Sequence, residues 1–204
     1  MRKIAVIYSG HAPHYRTFHE PKFAQYIDKL IYLPEFDETD LNAFDVLIVP
    51  SQLHSKLLLK AAPKIREFAD TEGKIVVAFG PQPWEWLPGQ KWEHRPTNFW
   101  WWLEENADSG LRIKNEDHPF HERFTLQDCT WHQHGVFWPP AHATTLIATA
   151  DNGSVLYIDE ESSKGTWIIT TLDPDYHFGS YFMPSTERFL EALFPWLSSG
   201  KLTK

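Results

Sequence analysis

Cysteine is what this sequence has least of. A single one, Cys129, in 204 residues excludes an internal disulfide, and a chain without cross-links is expected in a reducing cytoplasm. No apolar run approaches the roughly 20 residues that a membrane-spanning helix needs, so a membrane is not an expected partner. Met1-Arg2-Lys3 is followed by an apolar stretch, residues 4–7, too short for a signal-peptide core; it reads as a first strand. Positive charge is also scarce. Against 27 Asp and Glu stand 19 Lys and Arg, a net charge of −8, and a field of that sign repels nucleic acid and anionic surfaces. The phosphate-binding patterns G-x-x-x-x-G-K-[ST] and G-x-G-x-x-G are missing, which removes the usual nucleotide fingerprints. No serine sits in a G-x-S-x-G elbow.

Aromatic residues, by contrast, make up 15% of the chain, with 10 Trp. They gather in Trp84-Glu85-Trp86 and Phe99-Trp100-Trp101-Trp102, inside a proline-rich stretch, residues 80–102, that reads as an ordered irregular excursion. Such clusters suit a pocket wall, where indole stacks on a sugar ring, or an interface with a partner. Packing onto the body of the protein is the alternative.

Around the excursion the pattern is that of one α/β domain over residues 1–204. Residues 3–8, 30–33, 45–50 and 74–79 are short apolar runs without alternation, as in parallel strands covered on both faces. Helical spacing is expected over 21–30 and 53–69, the second broken or kinked at Pro63. Gly73 reads as its C-terminal cap, and residues 11–19 as a His-rich loop. Strand and helix alternate at short loop lengths, the signature of βαβ units in a doubly wound sheet. The C-terminal half adds strand-like runs near 129–138, 143–150, 154–158 and 166–171, with Asp151-Asn152-Gly153 as a hairpin turn. A helix is expected over 97–106 and another over 184–197, the latter opened by Pro184-Ser185-Thr186.

In an open parallel sheet, ligands bind beyond the carboxyl ends of the strands. The loops there carry Ser9, Gly10, His11, His14, Tyr15 and Arg16; then Ser51, Gln52 and His54; then Gly80, Gln82, Trp84 and Glu85; then Asp173, Asp175, Tyr176 and His177. Four loops with hydrogen-bonding groups on one edge predict a pocket for a small polar molecule. His11, His177, Glu85 and Asp173 are the candidate acid–base groups, since a histidine titrates near neutral pH and a carboxylate can orient it. Ser9, Gly10, His14, His54, Gln82, Trp84, Trp131 and Tyr176 are the candidate ligand contacts. In Trp131-His132-Gln133-His134, read as a strand, His132 and His134 face one side and could supply two ligands of a divalent metal site that needs a third. No other cofactor is indicated. Cys129 lies in or beside a strand-like segment rather than at a sharp elbow, and reads as a buried, inert thiol.

Four segments carry a resemblance: Phe44-Asp45-Val46-Leu47-Ile48-Val49-Pro50, Gly73-Lys74-Ile75-Val76-Val77-Ala78-Phe79-Gly80, Asp117-His118-Pro119-Phe120, and the run from Lys164-Gly165-Thr166 to Leu172-Asp173-Pro174-Asp175. With the order of elements, they resemble the class I glutamine amidotransferase-like superfamily, most closely its ThuA-like (trehalose-utilisation-like) group. The resemblance implies a flavodoxin-like, three-layer, mostly parallel sheet with added strands in the C-terminal half. The chain departs from it where chemistry would rest. The amidotransferase elbow cysteine is missing after Phe79-Gly80-Pro81, so glutaminase activity is not expected. The His-Gly common in ThuA-like proteins is replaced by Phe79-Gly80, and the later Gly-His by Asp173-Pro174, with His177 close behind. Two expectations follow: a domain that binds or acts on a small polar ligand, with a sugar derivative as the candidate, or an inactive subunit that binds a protein partner or its own copies through its aromatic surface.

Overall fold

Strands whose every residue is apolar form the centre of the molecule, because only strands covered on both faces bury such a run. The computed structural model describes residues 1–80, 82–95, 105, 107–180 and 183–202. Strands β1 (Ile4–Tyr8), β2 (Lys29–Tyr32), β3 (Val46–Val49), β4 (Ile75–Phe79) and β10 (Thr166–Thr170) run parallel in the order β2-β1-β3-β4-β10. Successive side chains of a strand point to opposite faces, and two cores result. Ile4, Val6, Val46, Ile48, Ile75, Val77 and Phe79 join Phe189, Leu190, Leu193 and Leu197 of α5 (Pro184–Ser199). Ala5, Ile7, Leu47, Val49, Val76 and Ala78 join Leu58, Ala61, Ala62, Ile65 and Phe68 of α3 (Ser55–Ala69). The fold is therefore the expected α/β one, with three layers and a doubly wound sheet.

The C-terminal half extends the sheet with antiparallel strands. Beside β10 lies β9 (Ser154–Asp159), paired with β8 (Thr144–Thr149) and, at one position, with β7 (Gly135–Trp138). β5 (Lys91–His94) borders β7, and β6 (Leu111–Ile113) borders β8. The turn between β8 and β9 is the expected one: Asn152 takes φ +71°, and the Thr149 N–H donates to the Gly153 carbonyl at 2.8 Å. Among the described residues no helix is long and apolar enough to cross a membrane.

Several local expectations are corrected. Residues 11–19 are not a loop: Ala12–His19 form helix α1, with Pro13 in its first turn and His11 as its N-cap, accepting from the His14 N–H. Its buried face is only His14, Thr17 and Phe18, too narrow and too polar to read as amphipathic. The helix expected over 21–30 shrinks to one turn, α2 (Pro21–Ala24), because Asp28 bonds to Ile4 through both backbone and carboxylate and delivers residues 29–32 to the sheet edge. Pro63 does not break α3. It lies on the exposed face with Leu59, whose carbonyl would have accepted its missing N–H and instead faces the solvent side of the helix. The cap of α3 is Asp70, while Gly73, at φ +77°, makes the turn into β4. In the segment 129–138 only Gly135–Trp138 is strand, and Gln127–Cys129 is a single 3-10 turn. The helix expected over 97–106 and the cluster Trp100-Trp101-Trp102 fall, but for Glu105, outside the described residues.

Candidate functional site

The strand order is the flavodoxin-like one, in which the connections leave β1 and β3 for opposite faces and open a crevice between their carboxyl ends. The loops at that crevice turn sharply. Gly10 sits at φ +88°, Gln52 at +55° and Gly80 at +38°, left-handed conformations that glycine adopts freely and glutamine only at a cost. At Gly80 a side chain would meet Asp173 Cβ at 3.2 Å and Ser51 Cβ at 3.4 Å, so the missing side chain lets the loops after β3 and β10 close on each other.

His14 fills the crevice. It reaches inward from α1 and is fully buried. Its Nε2 lies 2.9 Å from the Ser51 carbonyl and 3.0 Å from Asp175 Oδ2, and its Nδ1 lies 3.0 Å from Ser9 Oγ. Asp175 belongs to the short helix α4 (Pro174–Gly179) and is also fully buried. Its Oδ2 accepts from the Ser51 N–H at 3.1 Å and the Ser51 hydroxyl at 3.0 Å. Its Oδ1 has no hydrogen-bond partner among the described residues, and neither has His11 Nε2. The His11 ring lies tilted over that of His14, with centroids 3.7 Å apart. A tight junction holds α4 against α1: a Cβ on Gly179 would lie 2.1 Å from the Pro13 carbonyl oxygen.

A second pair begins two residues earlier. Asp173 Oδ1 accepts from Trp131 Nε1–H at 3.1 Å and lies 3.4 Å from His177 Nε2. His132 stands edge-on to His177 at 4.5 Å between centroids, with His134 5.5 Å from His132 and Tyr176 5.4 Å from His177. Burial, aided by the neighbouring His177 and His134, pushes His132 down to about 4, so its ring is neutral at pH 7. Burial acts against the Asp173 carboxylate, but the bonds from His177 and Trp131 and the adjacent imidazoles outweigh it and hold its pKa below the usual carboxylate range. Burial and the neighbouring His14 lower His11 too.

The expected residues thus divide. Ser9, Gly10, His11 and His14 gather at the first pair; Asp173, Tyr176, His177, Trp131, His132 and His134 gather at the second. Trp131 is buried in the core behind Asp173 rather than forming a pocket wall. His132 and His134 come together on a loop before β7, not on a strand. Among the described residues no group of three or more His, Cys, Asp or Glu is arranged to hold a metal ion. His54, at the N-terminus of α3, and Gln82 are exposed.

Glu85 is corrected: its carbonyl accepts from Arg66 in the last turn of α3, which carries it towards the opposite edge of the sheet. The cause is Trp86, fully buried 5.9 Å from Trp167 near the start of β10. Trp84 follows it inward, stacking on Trp92 at 5.0 Å. A cavity of about 570 Å³ opens at that far edge beside Arg66, Glu67, Asp70, Leu87 and Trp167, with no imidazole in its lining. Cys129 is fully buried, and burial pushes its thiol far up.

No family model and no curated protein matches the chain. Solved structures do. The chain is similar to the exo-β-1,4-mannosidase Op5Man5 from Opitutaceae bacterium strain TAV5, with a TM-score of 0.57 and 10% identity, over 100% of this chain and 36% of that one. It therefore spans little more than a third of that protein. A protein from Parabacteroides merdae described as ThuA-like is similar with a TM-score of 0.53 and 13% identity, over 100% and 92% of the two chains. The protein SMU.1228c is similar with a TM-score of 0.51 and 12% identity, over 96% and 97%. At these identities the likeness is one of fold: this chain shares the α/β fold of a ThuA-like protein.

Proposed function

We propose that this is a ThuA-like domain that binds a small polar ligand, a sugar or sugar derivative, at the carboxyl edge of its parallel sheet, and that it can move protons there. The observation that carries this reading is the pair of imidazole–carboxylate contacts, His14–Asp175 and His177–Asp173, built on one turn after β10. Two buried atoms at the first pair, His11 Nε2 and Asp175 Oδ1, lack partners among the described residues. Buried polar atoms are rarely left so, and a hydroxyl, which both donates and accepts, can serve either. The neutral ring of His132 supplies a base beside Asp173 and His177. Trp86 is buried and the partly buried Trp84 stacks on Trp92, so among the described residues recognition rests on polar groups.

The test is a thermal-shift panel of monosaccharides, disaccharides and sugar acids on the wild type and His177→Gln. The expected result is a stabilising sugar whose effect is lost in the variant. Equal stabilisation of both proteins would put the ligand elsewhere.

A second reading, an accessory domain that binds a protein partner, draws on one observation: the same fold occurs within a mannosidase almost three times longer. It predicts self-association or partner capture without any sugar response.

A further inference from the structure

We infer that Ser9 is a nucleophile, activated by His14 and Asp175, for acyl transfer from a neutral carboxylic ester such as an O-acylated sugar. The inference rests on the ligand edge proposed above and names the chemistry of that edge. His14 Nε2 faces two acceptors, the Ser51 carbonyl at 2.9 Å and the Asp175 carboxylate at 3.0 Å, so Nε2 carries the proton. The lone pair of Nδ1 is left to the Ser9 hydroxyl, 3.0 Å away. Asp175 cannot swing aside, because the Ser51 N–H and hydroxyl both hold the same oxygen. This is the division of labour of a serine–histidine–aspartate relay: the carboxylate fixes the tautomer and orientation of the base, and the base takes the serine proton. The two ring nitrogens are used in the order opposite to that of the chymotrypsin relay, which leaves the proton transfer unchanged. Exposure follows role, with His14 and Asp175 fully buried and Ser9 partly open to solvent.

An oxyanion donor stands alongside. His11 Nδ1 accepts from the His14 N–H at 3.3 Å, so His11 carries its proton on Nε2, and that atom has no partner among the described residues. On a ring tilted over that of His14, with centroids 3.7 Å apart, it can donate to an oxygen that gains charge at the reacting carbon. Charge selects the class of ester. Asp173 and Asp175 on the same turn and a net charge of −8 disfavour phosphate and sulfate esters.

In the first step the Ser9 oxygen bonds to the carbonyl carbon and its proton moves to His14 Nδ1. The ester C–O bond then breaks, and the departing alcohol takes that proton. Water attacks the acyl-serine, its proton returning through His14 to Ser9 Oγ, and the carboxylic acid leaves.

The experiment is reaction of the whole chain with a fluorophosphonate, read by intact mass and peptide mapping, beside p-nitrophenyl acetate hydrolysis by wild type and Ser9→Ala. We expect one adduct, on Ser9, and a loss of hydrolysis in Ser9→Ala of about 10²-fold or more. Should that variant fail to fold, the position of the wild-type adduct decides. An unlabelled protein, an adduct on another residue, or equal hydrolysis by both proteins overturns the nucleophile. A sugar-induced thermal shift lost in His177→Gln would then leave the ligand edge standing, whereas its absence alone would not touch a labelled Ser9.

Discussion

The two imidazole–carboxylate pairs are two residues apart on one turn, yet they are held in opposite ways. His14 and Asp175 are both fully enclosed, and every bond to Asp175 Oδ2 comes from a fixed donor. His177 and Asp173 retain 7 and 8% side-chain exposure and lie 3.4 Å apart, beside His132 and His134. Enclosure with a partner at each ring nitrogen of His14 fixes one tautomer. Burial, with His177 and His134 alongside, keeps His132 neutral. The first arrangement suits a prepared base, the second a place where a ligand's hydroxyls meet groups that can still adjust.

The largest expected effect separates the pairs by one kind of substitution. Asp175→Asn removes the charged acceptor that the neutral His14 ring and both Ser51 donors hold and is expected to cost about 2–3 kcal/mol in denaturant unfolding; Asp173→Asn, at the looser pair, is expected to cost about half of that. Equal costs would erase the distinction. Next is acid. His132 has its pKa depressed in the folded protein from 6.5 to about 4, so between those values the unfolded chain binds more protons. Stability is therefore full above pH 6.5 and is lost progressively down to pH 4, by on the order of 2–3 kcal/mol. Unfolding measured at pH 7 and pH 4.5 is expected to show this loss in the wild type and a smaller one in His132→Gln. The smallest effect is that of Trp131→Phe, which removes one donor to Asp173 and is expected to cost about 1 kcal/mol while raising the Asp173 pKa towards its ordinary value, as read by carboxyl NMR.

The elements legible in the sequence are those whose character is local. β3 and β4 announce themselves as unbroken apolar runs, β10 as a strand-like run, Asp151-Asn152-Gly153 as a hairpin turn, and α5 by its start signal and apolar stripe. The edge at which Ser9, Ser51 and Asp173 gather was legible too, because the carboxyl edge of a parallel sheet follows from the strand pattern. What was hidden depends on distant partners. α1 is disguised because His14, which a propensity argument leaves in solvent, is buried by Asp175 and Ser51, and Ser51 and Asp175 themselves stand 124 residues apart in the chain. Asp175 reads as a loop carboxylate, but nothing local distinguishes it from Asp173, whose partners differ. Glu85 was misplaced for a similar reason: burial of Trp86 against Trp167 decides where its neighbour goes.

The most direct measurement is the long-range ¹⁵N spectrum of the histidine side chains at pH 7, followed down to pH 4. His14 is expected as the single tautomer with its proton on Nε2 and a bare Nδ1 facing Ser9. Also expected is a neutral His132 that begins to protonate only near pH 4. A His14 ring with its proton on Nδ1 and a bare Nε2, or a His132 that titrates near 6.5, would contradict this arrangement.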